Sequence, residues 1–206
     1  MLTEIQAYSS PAQKALSDLF QLGGLARDAV LTKAPIRTAE DHIRRSINKY
    51  NKWAMKDGDL EIRWKNISLF KTISCHKNVH PSVMEGKMIR KLGKLAGLWR
   101  DAFNTKIQEN NSNSKTSQVD ADSVPDLPTL YGICASHTVM AFVSYDALSP
   151  SSSLRTVAMF DFGQEGYDVW NSLAIAIFVI HCRNRMMELQ DSLPKAEVKK
   201  DSDPDL

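Results

Sequence analysis

The stretch Leu154–Phe178, LRTVAMFDFGQEGYDVWNSLAIAIF, decides how the C-terminal half is read. Its first part, Leu154 to Phe160, has the β-branched and apolar character of a strand. Gly163 and Gly166 then permit a tight turn. From about Tyr167 the pattern becomes helical and runs to about residue 191, with a middle, Leu173 to Ile180, that is apolar all round. A helix of that kind lies inside a domain. We therefore expect a buried helix across the strands, with Trp170 anchoring it at the strand ends.

Asp161-Phe162-Gly163 raises a separate question, because the Asp of a D-F-G tripeptide holds magnesium in protein kinases. A kinase also needs a Gly-rich loop and an H-R-D catalytic loop upstream. Neither occurs here, and only 43 residues follow Gly163, too few for a helical lobe. The tripeptide reads as the end of a strand running into a helix.

Upstream, Leu130–Cys134 and Thr138–Tyr145 read as two further strands, and Asp146–Ser153, with Pro150, as a turn or short loop that follows them. The second part is thus expected to be a three-stranded antiparallel meander covered by a long buried C-terminal helix. Residues 109–127 are polar, rich in Ser and Asn, and without periodicity, so they read as a flexible linker. Before them, residues 1–108 read as a helical, basic part. Ser10-Pro11 is a helix start, and Gly23-Gly24 is expected to break or bend that helix. Thr38, with Asp41 three residues on, caps the next, which Asp57-Gly58 stops. A long helix from His80-Pro81 to about 108 carries Met88, Leu92, Leu95, Trp99 and Phe103 at steps of four, three, four and four. Residues 60–70 fit neither period and are left unassigned. Residues 192–206 read as a disordered acidic tail. The fold class expected is α+β, with 1–191 one compact unit.

Composition is that of an ordinary globular protein, 43% hydrophobic and 24% charged. No basic start followed by an apolar run marks a secretory signal, and three cysteines make no disulfide framework. The longest apolar run, Leu173 to Cys182, is well short of the about 20 residues that span a bilayer. An intracellular protein, nuclear or cytoplasmic, is expected. The net charge of +2 hides an asymmetry: residues 1–106 hold 19 Lys+Arg against 10 Asp+Glu. Either the two halves neutralise each other, or the basic one is a surface for nucleic acid or acidic lipid.

Candidate chemistry is thin. Cys75-His76-x-x-x-His80 and Cys134-x-x-His137 offer zinc-type ligands, but at no standard zinc spacing and in different halves. No G-x-S-x-G and no phosphate-binding loop is present. We expect no metal and no cofactor, and name no catalytic residue. The helix 87–100, KMIRKLGKLAGLWR, is the most suggestive element, crowding Lys87, Arg90, Lys91, Lys94 and Arg100 beside a Trp. Such a helix serves phosphate-backbone binding, an acidic membrane or a partner protein.

Residues 127–186 also carry a resemblance. Tyr131-Gly132-Ile133 opens a strand pair, a third strand follows, and Val169-Trp170-Asn171-Ser172-Leu173-Ala174 opens the helix. This order resembles the end of PD-(D/E)xK nuclease-like domains abundant in filamentous fungi. The resemblance implies a fungal, intracellular protein on a degenerate nuclease-like scaffold, and does not extend to residues 1–106. The nuclease needs an Asp followed by a Glu/Asp-x-Lys on the next strand. Pro125-Asp126 precedes a strand, but the tempting E-x-K triplet, Glu85-Gly86-Lys87, lies earlier and in an expected helix, and Asp161 has no lysine two residues on. No functional residue is carried over.

The expected function is a non-enzymatic interaction module whose partner is nucleic acid or an unknown protein. Its candidate nucleic-acid contacts are Arg44, Arg45, Lys49, Arg90, Lys91 and Lys94. The alternatives are an enzyme with an unrecognised site near Asp126, Asp146 or Asp161, and an amphipathic helix 87–100 that binds membrane or a partner.

Overall fold

The computed structural model describes residues 10–60, 67–113, 126–148 and 154–193. Three helices come first: α1 Pro11–Phe20, α2 Leu22–Leu31 and α3 Ala39–Asp57. Ser10 and Gln13 cap α1 reciprocally, at 3.3 and 2.9 Å, with Pro11 at the first helical position. The break before α2 falls at Gln21 rather than at Gly23-Gly24. Gly23 is instead buried, at a close approach to the Asp168 carboxylate. Ile43, Ile47, Tyr50 and Ala54 form the buried face of α3, as their spacing predicts. The Thr38 side chain makes no capping bond. Asp41, expected to complete a capping box, binds Arg44 and Ser74 instead.

The sheet has four strands, not three, and is mixed rather than antiparallel. The additional strand is β1, Phe70–Cys75, which begins at the last residue of the segment left unassigned; residues 61–66 of that segment lie outside the described residues. A long helix, α4 Pro81–Asn113, leads from it to β2 Leu130–Ser136, which pairs with β1 in parallel. Then come β3 Val139–Tyr145 and β4 Leu154–Asp161, both antiparallel to their predecessors, giving the order β1-β2-β3-β4. The expected meander is thus present as three strands of four. Helix α5, Asp168–Glu188, ends in a 3-10 turn, Leu189–Ser192. Of the expected linker, residues 109–113 belong to α4, and 114–125 lie outside the described residues. The expected acidic tail lies outside them from residue 194 on.

Alternation along the strands assigns the helices to faces. Phe178 of α5 meets Phe70, Tyr131 and Phe142 at ring-centroid distances of 5.4, 5.4 and 4.4 Å. Ser74, on the same face of β1 as Phe70, donates to Asp41 of α3. Helices α3 and α5 therefore share one face. Helix α4 covers the other, where a Cβ on Gly132 would fall 2.8 Å from the Met88 thioether. Met88, Leu92, Leu95, Trp99 and Phe103 are all buried, as their spacing predicts.

Helix α5 is not buried all round. Trp170 is 70% exposed and Ile177 69%. The residues that dock it are Ser172, Ile175, Val179, Cys182 and Met186, at steps of three and four, with Asn171 and Ala176 beside them. Ser172, fully buried, donates to the carbonyl of Leu19 at 2.9 Å and does the anchoring expected of Trp170. Among the described residues no helix is long and apolar enough to cross a membrane.

Candidate nucleic-acid interface

Strand β1 is an edge: among the described residues no strand pairs with its outer side. The Tyr131 N–H donates to the Leu69 carbonyl, which sets the phase of the parallel ladder. In such a ladder alternate residues turn both backbone groups away from the partner, so those of Thr72 and Ser74 face outward. Edges of this kind are ready-made sites for pairing unless covered or charged. Here the edge is flanked by charge from both faces. A cavity of about 540 Å³ runs along it, lined by Thr72–Cys75 of β1, Arg44 of α3, and Lys87, Arg90, Lys91 and Lys94 of α4.

Helical periodicity explains the gathering. The apolar stripe of α4 is fixed against the sheet by Met88, Leu92 and Leu95. Lys87, Arg90, Lys91 and Lys94 recur at steps of three, one and three beside that stripe, so they rise along the border facing β1. Arg44 enters from the other side and is oriented by Asp41 through a bond of 3.1 Å. Among the described residues none of the four α4 cations has an ion pair, and Arg44 has only Asp41. The acidic half does not neutralise this surface among those residues.

Four of the six residues expected to bind nucleic acid thus line one cavity: Arg44, Arg90, Lys91 and Lys94. Arg45 and Lys49 do not. They are one helical turn apart on another side of α3, and Lys49 pairs with Asp18 of α1 at 2.6 Å. The sequence reading of the site missed Thr72 and Ser74, which join it only once β1 is placed. Lys71 lies on the α4 face of β1. Its amine is pushed below the ordinary lysine range by burial and by the nearby Lys91 charge.

The alternatives meet the same geometry. An amphipathic helix on a membrane needs a free apolar face, and that of 87–100 is spent in the core, with Trp99 donating to the Ser68 carbonyl at 3.0 Å. The three carboxylates considered for an enzyme are dispersed. Asp126 and Asp146 flank the same end of the sheet, where Leu130 pairs with Tyr145. Asp161 is at the other end, where it pairs with Val139. Asp146 accepts the Leu148 N–H in a local turn. Asp161 accepts from the Thr138 hydroxyl and the Gly163 N–H, both at 2.8 Å. The D-F-G segment is therefore a locked corner, with Phe162 fully buried.

The zinc-type residues separate into three places. Cys75 and Cys134 lie buried on adjacent strands facing α4, and burial, with Cys75 and Glu85 nearby, pushes the Cys134 thiol up to about 12. His76 and His137 line a second cavity of about 490 Å³ beside Glu40, at the C-terminal ends of β1 and β2. His80 is bound to Ser82 at the head of α4. Among the described residues no three His, Cys, Asp or Glu side chains gather to hold a metal ion.

Comparison of the chain with protein-family models, curated proteins and solved structures finds no match. The functional reading therefore rests on the chain's own geometry.

Proposed function

We propose that the protein is a nucleic-acid-binding module that grips the phosphate backbone in the groove along β1. One observation carries this reading. Five cations, Arg44, Lys87, Arg90, Lys91 and Lys94, converge from two helices on one concave surface, and the four from α4 are unpaired among the described residues. Gathering like charges costs free energy in the folded chain unless an anion offsets it. A polyphosphate backbone is such an anion, and releasing its condensed counterions supplies the driving force. No aromatic ring lines the cavity among the described residues, so base stacking has no platform there. The mode is reading of the backbone, with little dependence on base sequence.

The test is a salt titration of binding to labelled single-stranded DNA, duplex DNA and RNA, with and without magnesium. Engaging four or five phosphates of a single strand predicts a slope of log K against log salt of about −3. The double variant Arg90→Glu/Lys91→Glu should weaken binding at least tenfold and flatten that slope by about 1.4. Binding that is absent at low salt, or unmoved by the double variant, would overturn the assignment.

A further inference from the structure

Among the described residues the outer edge of β1 has no partner strand. The phase of the β1–β2 ladder turns the backbone groups of Lys71, Ile73 and Cys75 toward β2. Thr72 and Ser74 each turn an N–H and a carbonyl the other way, and among the described residues nothing bonds to these groups. The groove lies directly off this edge. Successive residues of a strand point to opposite faces. Yet Thr72, Ile73, Ser74 and Cys75 all line the groove, with Arg44 of α3 on one face and four cations of α4 on the other. A space that touches both faces in this way lies in the plane of the sheet. A further strand would occupy that plane, and the outward groups of Thr72 and Ser74 point into it.

The chemistry of the edge narrows the occupant. Donors and acceptors alternate along it, and an extended polypeptide offers the complementary alternation. Phosphodiester groups carry acceptors only, so they meet the cations but not the two outward carbonyls. A second copy of this chain would bring the same five cations against these five, a like-charge contact. An acidic peptide meets both demands, and its acids have a preferred side. On the α4 face, Lys87, Arg90, Lys91 and Lys94 make no ion pair among the described residues. On the α3 face, Arg44 already has Asp41 beside it at 3.1 Å. Alternate side chains of a strand recur about every 7 Å, and Lys87 to Lys94 rise about 10 Å along α4, so about two acids at alternate positions span the four cations.

We infer that the edge of β1 takes an extended acidic peptide as a fifth strand, bonded to the backbone of Thr72 and Ser74, with carboxylates at alternate positions facing the α4 cations. The mode is strand addition, in which main-chain bonds supply affinity and alternate side chains supply specificity. The inference shares the cations with the nucleic-acid reading, so the two ligands exclude each other. It rests on a separate observation, the open edge.

Fluorescence-anisotropy titrations of the full chain at low salt test this. The probe is a short labelled peptide of alternating glutamate and threonine. One control has the same composition with the glutamates in a block. Two more carry N-methyl groups on the glutamate amides only, or on the threonine amides only. Strand addition uses the amides of one alternate set and leaves the other set facing water. One methylated peptide should therefore lose about tenfold in affinity, the worth of about two main-chain bonds, while the other stays within about twofold. The block peptide should bind about fivefold more weakly, because alternate acids then face α3 and Asp41. The alternating peptide should also displace a labelled single-stranded oligonucleotide. Equal binding of the alternating and block peptides, equal binding of the methylated pair, or an oligonucleotide that is not displaced would overturn strand addition. Binding of the oligonucleotide but of no peptide would overturn it too and leave the nucleic-acid reading standing. The expected peptide pattern with no oligonucleotide binding would overturn the nucleic-acid reading and leave strand addition standing. Binding of neither would overturn both.

Discussion

Arg27 and Arg44 sit on neighbouring helices, and the chain treats them in opposite ways. Arg27 of α2 makes a two-pronged bond to Asp168, at 2.8 and 2.7 Å, and a third to the Phe162 carbonyl at 3.1 Å. Opposite charges meet there, and the bonds tie the first helices to the D-F-G corner and the start of α5. Arg44 has one local bond, a buried Nε without a partner, and like charges across the groove. Completed electrostatics hold a fold together, whereas a like-charge cluster left incomplete lowers stability. The comparison makes quantitative demands on both regions.

The largest effect belongs to the completed corner. Arg27→Met should lower stability by about 2–3 kcal/mol, since it removes charge-assisted bonds and leaves Asp168 part-buried and unpaired. Arg90→Met, in the groove, should change stability by less than about 0.5 kcal/mol. Urea unfolding of both variants checks the contrast, and equal losses would dissolve it. The corner can also be broken from its other side, because a Cβ on Gly23 would fall 1.9 Å from Asp168 Oδ1. Gly23→Ala should therefore displace the same carboxylate, and the double variant should cost much less than the two single losses combined. Acid gives a further check. The hydrogen bond from Arg27 holds the Asp168 carboxyl below its ordinary range. A depressed carboxylate contributes its full stability above the unfolded value, about pH 4, and loses it as pH falls through the folded value. The gap between wild type and Arg27→Met should narrow below that pH.

A smaller effect, of opposite sign, is expected beside the groove. Lys71→Met should raise stability by about 1 kcal/mol near neutral pH, as relief of an unfavourable charge commonly does. The folded amine has a pKa below that of the unfolded chain, because of burial and Lys91. The folded state therefore binds fewer protons between the two values. The destabilisation is complete below the folded value and disappears as pH rises to the ordinary 10.5. The gain from Lys71→Met should shrink over that same rise, as followed by unfolding at a series of pH values. A gain independent of pH would trace to packing instead of charge.

These regions differ as much in how visible they were in the sequence. The stripe from Met88 to Phe103 was legible because α4 buries one face only, and one-sided burial writes a 3.6-residue period. Strands β2 to β4 were legible because they are close in sequence and rich in the β-branched and aromatic residues that strands favour. Strand β1 was not. Its residues, FKTISC, lie at an edge between helices on both faces, with the burial of Lys71, Thr72 and Ser74 incomplete, so neither alternation nor a continuous apolar run survives. Its partner β2 is also remote in sequence, beyond the whole of α4. The groove inherited that blindness. Arg90, Lys91 and Lys94 announced themselves by crowding on one helix, but Thr72 carries no signal until β1 is placed. Arg45 and Lys49 show the converse: neighbours of Arg44 in sequence, they are turned away by the rotation of about 100° per helical residue. Trp170 misled for a related reason. Asn171 and Ser172 look polar enough for the surface, yet their bonds to the Asp161 and Leu19 carbonyls let them take the buried side and leave the ring outside.

The smallest effect tests a residue that belongs to neither class. His137 opens the two-residue turn between Ser136 and Val139 with φ +53, a left-handed conformation in which a side chain costs energy and glycine does not. His137→Gly should therefore stabilise the chain by about 0.5 kcal/mol, the relief of strain less the extra entropy that glycine loses on folding. Thermal unfolding of His137→Gly beside His137→Asn decides between two origins, because asparagine tolerates the left-handed region and keeps a polar side chain. A gain in both variants would show that the imidazole is held at a cost to the fold, as the unpaired groups of the groove are. It would direct attention to the cavity that His137 shares with His76 and Glu40. A loss in both would show that the ring's packing outweighs the strain, and would place His137 with Arg27 among the residues whose interactions are already complete.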